Sequence, residues 1–201
     1  MSTYLGGRDI VLHGENGILG YGEILPDESR YPDVFNASGQ PVSAAPGISF
    51  FDSVTAFEMA RSGHVHVVAL GAYQVDQECS FASWNTPDMV GGGIGGSMDL
   101  VAGGTTVMVL MEHRDSRDRA KLVRRCTYPL TGKGCVGIVV TDLAVLRRRD
   151  GALVLEEVAP GFAADEVLAL TEMEVEVELR YPPPKREGRE RVRGRDTLNG
   201  G

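Results

Sequence analysis

The sequence predicts an α/β domain built on a mostly parallel sheet. Three observations predict it. Apolar runs rich in β-branched residues recur at residues 10–12, 65–70, 105–111 and 136–140, as in strands covered on both faces. Segments with helix caps and apolar sides lie between several of them. Glycine is abundant, 26 of 201 residues, and clustered, which points to backbone placed close to something. At 42% hydrophobic and 24% charged, a chain of this length suits one domain with one sizeable core. That domain is expected over residues 1–181.

Residues 1–8 are polar and glycine-rich, a frayed start. Ile10-Val11-Leu12 reads as a short buried strand. It runs into His13-Gly14-Glu15-Asn16-Gly17-Ile18-Leu19-Gly20. Asn-Gly is first of all a turn signal. Glu15 falls just past the strand's C-terminal end, the edge where open α/β sheets bind ligands. Residues 20–46 lack periodicity and carry Pro26, Pro32, Pro41 and Pro46. A long ordered loop is expected there, either functional or a surface excursion. Asp52 or Ser53 then caps a helix with Phe57, Met59 and Ala60 on its apolar side and Gly63 at its close. The strand at 65–70 begins beside His64 and His66. No carboxylate or cysteine completes a metal set with them, so they read as polar-face residues. Trp84 reads as packing.

Gly91, Gly93 and Gly96 satisfy G-x-G-x-x-G, but they follow the turn-like Asn85-Thr86-Pro87-Asp88 rather than a strand. A dinucleotide fingerprint needs the strand. Such a glycine run still lets N–H groups approach a ligand, and a short helix is expected over residues 98–101. Residues 105–111 form a strongly apolar strand. Residues 114–125 are charged, with Ala120, Leu122 and Val123 as a partial helical face. Residues 126–134 form a loop. Strands are expected at 136–140, 143–146 and 152–158, with Asp150-Gly151 as the hairpin turn and Arg147-Arg148-Arg149 solvated at its tip. A short helix at 163–169 precedes the strictly alternating Glu172-Met173-Glu174-Val175-Glu176-Val177-Glu178-Leu179, a half-buried or edge strand with an acidic face. Pro182-Pro183-Pro184 ends the domain. The charged residues 182–201 cannot bury enough apolar surface to order themselves.

The net charge of −8 gives no reason to expect nucleic acid, and an anionic membrane repels it. No apolar run is long enough to span a bilayer. Three cysteines, Cys79, Cys126 and Cys135, without C-x-x-C spacing argue against a disulfide framework or zinc site and fit a reducing cytoplasm.

Several motifs carry a family resemblance in the order in which they occur. They are Glu15-Asn16-Gly17, Pro46-Gly47-Ile48-Ser49-Phe50-Phe51-Asp52-Ser53, Gln74-Val75-Asp76, and Gly91-Gly92-Gly93-Ile94-Gly95-Gly96-Ser97-Met98-Asp99-Leu100. Met111-Glu112-His113 and Cys126-Thr127-Tyr128-Pro129-Leu130-Thr131-Gly132-Lys133 complete the set. Together they resemble the B (beta) subunit of 3-oxoacid CoA-transferases, the class I CoA-transferases, over residues 10–177. The resemblance implies a single three-layer domain of the NagB/RpiA/CoA-transferase-like type. It implies that Glu15 is the nucleophile and that Gly96 supplies an oxyanion donor, with Gly95 and Gly93 beside it in the substrate-binding glycine run. It further implies an A-type subunit as partner, an acyl-CoA and a small carboxylic acid as substrates, and no permanently bound cofactor. Coenzyme A is substrate and part of the covalent intermediate. Lys133 is placed either to meet CoA phosphates or in solvent.

The chemistry agrees with these residues. Carboxylates are ionised at neutral pH, so a glutamate nucleophile needs no Ser-His or Cys-His pair, and none is evident. Backbone donors answer the oxyanion that forms. Two alternatives share the fold: a hydrolase, if water reaches the thioester, and an inactive structural paralogue. The chain departs from the family at three places. Gly14 stands where a serine is usual, and Ser38 and Gly39 stand where some members carry a lysine. Family members also have a helix and an Asn-Leu-Gly-Ile-Gly-Ile-Pro-like segment before the nucleophile strand, whereas fourteen residues precede Glu15. The expectation is either a natural start further upstream or a degenerate member.

Overall fold

A computed structural model describes residues 6–26, 33–91 and 93–181. In chain order its elements are β1 (His13–Gly14), β2 (Ile18–Leu19), β3 (Ser49–Phe50), α1 (Ser53–Arg61), β4 (Val67–Gly71), β5 (Gln74–Asp76), β6 (Phe81–Ala82) and α2 (Ser97–Leu100). Then come β7 (Thr106–Leu110), β8 (Leu122–Val123), β9 (Val136–Val140), β10 (Ala144–Arg149), β11 (Ala152–Val158), α3 (Ala164–Ala169) and β12 (Glu176–Val177).

The central sheet has six strands in the order β12-β11-β10-β9-β7-β4. The pairings β4–β7, β7–β9 and β11–β12 are parallel; β9–β10 and β10–β11 are antiparallel. Register sets the core. Val68 lies beside Val107, Leu70 beside Val109, Val109 beside Val139, and Leu146 beside both Val139 and Leu155. Strand residues alternate faces, so these side chains share one. Ala60 of α1 and Leu100 of α2 cluster with Val68, and Val167 of α3 joins the main core with Val107, Leu146 and Leu155. The three helices of the described residues thus pack on this face. The opposite face carries Val67 and Leu110, 46% and 40% exposed. Two small three-stranded sheets flank the centre, β1-β2-β3 and β6-β5-β8.

Local signals explain the ends. The Asp52 carboxylate accepts from Thr55 N–H at 3.0 Å, an N-cap bond, and Gly63 follows α1 with a left-handed φ of 81°. Asp150 and Gly151 have φ of 48° and 96°, two successive left-handed residues as a tight hairpin turn needs.

Four sequence readings require correction. Residues 10–12 form no strand; Ile10 and Val11 are 49% and 66% exposed. Residues 114–125 contain no helix, because Leu122 and Val123 pair with Val75 and Asp76 as strand β8. Of residues 172–179, only Glu176 and Val177 pair, at the sheet edge beside β11. The arginine triplet is not simply solvated. Arg147 and Arg149 bond the carboxylate of Glu156, which is 1% exposed, and Arg180 joins them. A buried carboxylate keeps its charge only when paired and hydrogen-bonded, and a local pattern does not reveal a partner on the next strand. The tail expected from Pro182 lies outside the described residues.

Candidate functional site

Glu15 stands in a three-residue hairpin loop. His13 pairs with Leu19 and Gly14 with Ile18, leaving Glu15-Asn16-Gly17 to turn the chain. Gly17 N–H closes the turn on the Gly14 carbonyl at 3.0 Å. Gly17 has φ 99°, and a β-carbon there would run into the Phe51 carbonyl oxygen, so only glycine fits. Phe51 N–H in turn donates to the Gly17 carbonyl at 3.0 Å. Asn16 Nδ2 donates to the Phe35 carbonyl at 2.8 Å, tying the turn to the long loop. Glu15 therefore projects from a hairpin turn held by β3 and not from the end of a parallel strand.

The hairpin meets the glycine run at one point. Gly96 caps α2. A β-carbon on Gly96 would lie 2.9 Å from Glu15 Oε2 and would run into the ring of Phe57. The missing side chain is what lets the backbone of residue 96 approach the carboxylate. Among the described residues, nothing accepts the Gly96 N–H. Gly95 precedes it with a left-handed φ of 65°. Gly93 is exposed, and a β-carbon there would meet only the Gly95 nitrogen at 4.0 Å; no contact joins it to Glu15. The structure thus brings Glu15 and Gly96 together, with Gly95 adjoining, and leaves Gly93 outside.

Two side chains at this site were not marked by sequence as functional. Phe57 of α1 walls off Gly96; its helical spacing indicated only an apolar face. His13 stacks on Phe51 with ring centroids 6.0 Å apart, and its Nε2 is buried without a hydrogen-bond partner among the described residues. Burial lowers its pKa, favouring the neutral ring. Nothing in the pattern around residue 13 signals this.

Other candidate chemistry does not assemble. Burial and the Asp76 carboxylate push the Cys126 thiol up to about 12, and burial also raises Cys79 and Cys135. Such thiols are inert. His64 bonds Ser62 Oγ at 2.7 Å, His66 is exposed, and no group of three potential metal ligands exists among the described residues. Lys133 is exposed. No helix of the described residues is long and apolar enough to cross a membrane.

The model of the coenzyme A transferase family matches residues 5–170. The chain belongs to that family, whose members are group-transfer enzymes. Within it, the chain is similar to beta-type subunits. It is 44% identical to the beta subunit of acetate CoA-transferase from Escherichia coli K12 over 171 residues, 85% of this chain and 78% of the relative. It is 40% identical to the B-type subunit of succinyl-CoA:3-ketoacid coenzyme A transferase from Helicobacter pylori 26695 over 179 residues, 89% of this chain and 86% of the relative. Among solved structures, glutaconate coenzyme A-transferase from Acidaminococcus fermentans shares the fold, with TM-score 0.64 at 17% identity over 90% of this chain and 76% of that one. The activity of this chain is accordingly CoA transfer, and neither a hydrolase nor an inactive paralogue is favoured.

Proposed function

We propose that this chain is the nucleophile-bearing subunit of a CoA-transferase working through a glutamyl-CoA thioester at Glu15. The approach of Gly96 to Glu15 Oε2 supports the reading most directly. A Glu15 oxygen attacks the thioester carbonyl of an acyl-CoA. The C–S bond breaks, CoA leaves as thiolate, and an acyl-glutamyl anhydride remains. The thiolate then attacks the glutamyl carbonyl, and the first acid departs as carboxylate. A second carboxylate repeats the steps in reverse. Each tetrahedral intermediate carries an oxyanion, and the Gly96 N–H is the donor assigned to it, worth roughly 3 kcal/mol. Gly95 shapes the approach. Gly93 belongs to the same proposed substrate-binding run but makes no contact with Glu15. The chemistry calls for no resident cofactor, since every bond is made by carboxylate oxygen or thiolate sulfur.

A partner A-type subunit is part of the proposal, since the relatives named above are themselves subunits. The acid is small: acetate and 3-oxo acids are the first to try. The compartment proposed is the cytoplasm, where free thiols persist.

The test uses this chain bound to an A-type subunit and given acyl-CoA without acceptor acid. The peptide containing residue 15 should gain the mass of CoA, and hydroxylamine should remove it. Glu15→Ala should abolish the adduct with the fold intact. Glu15→Asp should also fail, because shortening the arm by one methylene displaces the nucleophile by roughly an ångström from attack geometry. Absence of any adduct in the wild-type complex sinks the proposal, and steady CoA release without acceptor would favour the hydrolase instead.

A further inference from the structure

The turn that carries Glu15 is braced by the next side chain along. Asn16 Nδ2 donates to the Phe35 carbonyl at 2.8 Å, across nineteen positions of sequence. Among the described residues the Asn16 side chain makes no other hydrogen bond. A three-residue turn is closed by its own backbone, here through Gly17 N–H on the Gly14 carbonyl. That bond shapes the turn but does not fix it against the rest of the molecule. The Asn16 bond does.

The segment that receives the bond is itself knotted. Asn36 Oδ1 accepts from Ser38 N–H and Gln40 N–H, each at 3.0 Å, and Asn36 Nδ2 donates to Gln40 Oε1 at 3.0 Å. Asparagine bonds readily to backbone a few residues on, and Asn36, 9% exposed, uses both of its polar atoms locally. Its backbone joins in. Asn36 N–H donates to the Gln40 carbonyl and Gly39 N–H to the Asn36 carbonyl, each at 2.9 Å. Val42, 0% exposed, donates its N–H to the Val34 carbonyl at 3.1 Å. The Phe35 carbonyl is thus held out by a fixed loop.

Gly14 makes room for the same bond. A β-carbon on residue 14 would lie 2.6 Å from Asn16 Oδ1 and 2.8 Å from Ile18 Cγ2, too close for any real side chain. The Asn16 amide therefore lies over the bare backbone of Gly14, and from that seat its nitrogen reaches Phe35. On the other flank, the Gly17 carbonyl accepts from Phe51 N–H at 3.0 Å. Asp52 follows Phe51 and caps α1, the helix whose Phe57 adjoins Gly96. Glu15 stands between two clamps, one to residues 34–42 through Asn16 and one to α1 through Gly17.

We propose that Asn16 is a positioning residue for Glu15, seated on Gly14 and held by the loop that Asn36 knots. The proposal rests on the reading of Glu15 as nucleophile and adds what aims it. Displacing a reacting group by roughly an ångström costs on the order of 100-fold in rate, and a turn held on one flank only can rock by that much. The test follows single-turnover acylation of residue 15 by acyl-CoA, read by mass, in the complex with an A-type subunit. Asn16→Ala should slow acylation roughly ten-fold or more, while the acyl-CoA concentration for half-maximal rate changes little. Asn16→Asp keeps the shape and loses the donor, and should be as slow or slower. Asn36→Ala, at a residue with no hydrogen bond to the hairpin, should slow acylation too. Combined with Asn16→Ala it should add little, because both remove one brace. Gly14→Ala should resemble Asn16→Ala. All rates are taken well below each variant's unfolding midpoint, where a residue serving stability alone leaves the rate unchanged. Wild-type acylation rates in folded Asn16→Ala and Asn16→Asp, or additive losses in the Asn16 and Asn36 pair, overturn the positioning role. The nucleophile reading fails in a different way: the wild-type complex itself then carries no adduct on residue 15, which removes the positioning role with it.

Discussion

Gly96 and Glu15 stand so close that a β-carbon on residue 96 would lie 2.9 Å from Glu15 Oε2. That contact joins a hairpin near the start of the chain to a glycine run near its middle. It sets the backbone of residue 96 close to a carboxylate, and the proposed glutamate chemistry draws on those two groups.

Gly96→Ala should therefore injure the reaction more than the fold. The methyl group must displace Glu15 or the Phe57 ring, and with it the N–H proposed as oxyanion donor. The rate of acylation at Glu15 should drop roughly 100-fold or more, while thermal unfolding moves by only a few degrees. An alanine variant acylated at the wild-type rate would remove Gly96 from the mechanism.

Val107→Asp tests the core. Val107 is 0% exposed, on the face shared with Val68 and Val136. An unpaired carboxylate there costs at least several kcal/mol, comparable to the whole stability of a domain. Expression should yield insoluble or unfolded protein by circular dichroism. A soluble, cooperative variant would mean that strand β7 is not central.

His113 should make stability depend on pH. It is 1% exposed, its Nδ1 lies 3.0 Å from Thr141 Oγ1 and its Nε2 2.9 Å from Thr171 Oγ1. Thr171 Oγ1 donates to the Val167 carbonyl, so it accepts from Nε2–H. Burial lowers the folded-state pKa below the ordinary 6.5, against the pull of Asp142. The unfolded chain then binds the proton more readily. The His113 contribution is full above about pH 6.5 and is lost as pH falls from there through the folded value. Urea midpoints measured from pH 7.5 down to 5 should decline, and His113→Gln should flatten that decline.

Glu156 should dominate a second, more acidic loss. Burial alone would raise its pKa, but hydrogen bonds from Arg149 and Arg147 and the charge of Arg180 hold it below the ordinary 4.5. Its contribution is present above about pH 4.5 and is lost as pH falls through the lower folded value. The three arginines are 35–47% exposed, which moderates the cost of leaving them unpaired. Glu156→Gln should destabilise by on the order of 2 kcal/mol at pH 7, and the gap to wild type should narrow as pH falls below about 4.5. A gap that stays constant through the whole acid unfolding range would assign the loss to packing.

Short-range chemistry was legible along the chain. Apolar β-branched runs mark β4, β7, β9 and β11, Asp52 marks the start of α1, and Asp150-Gly151 marks a hairpin. Each reflects residues within a few positions of one another, where propensity and turn geometry act directly. The motifs also identified Glu15 and Gly96 as the residues of interest. Their meeting, and the exclusion of Gly93 from it, depends on how α1, β3 and the hairpin pack, because the two segments are distant in the chain. The same reason explains Ile10-Val11-Leu12. An apolar run becomes a strand only where a neighbouring edge offers hydrogen bonds, and here the pairing begins at His13. It explains the arginines as well: Arg147 and Arg149 look solvated until β11 brings Glu156 beneath them. Patterns within a few residues report local backbone preference. Contacts between distant segments depend on which surfaces the whole chain must bury, and in this protein those contacts set the environment of Glu15.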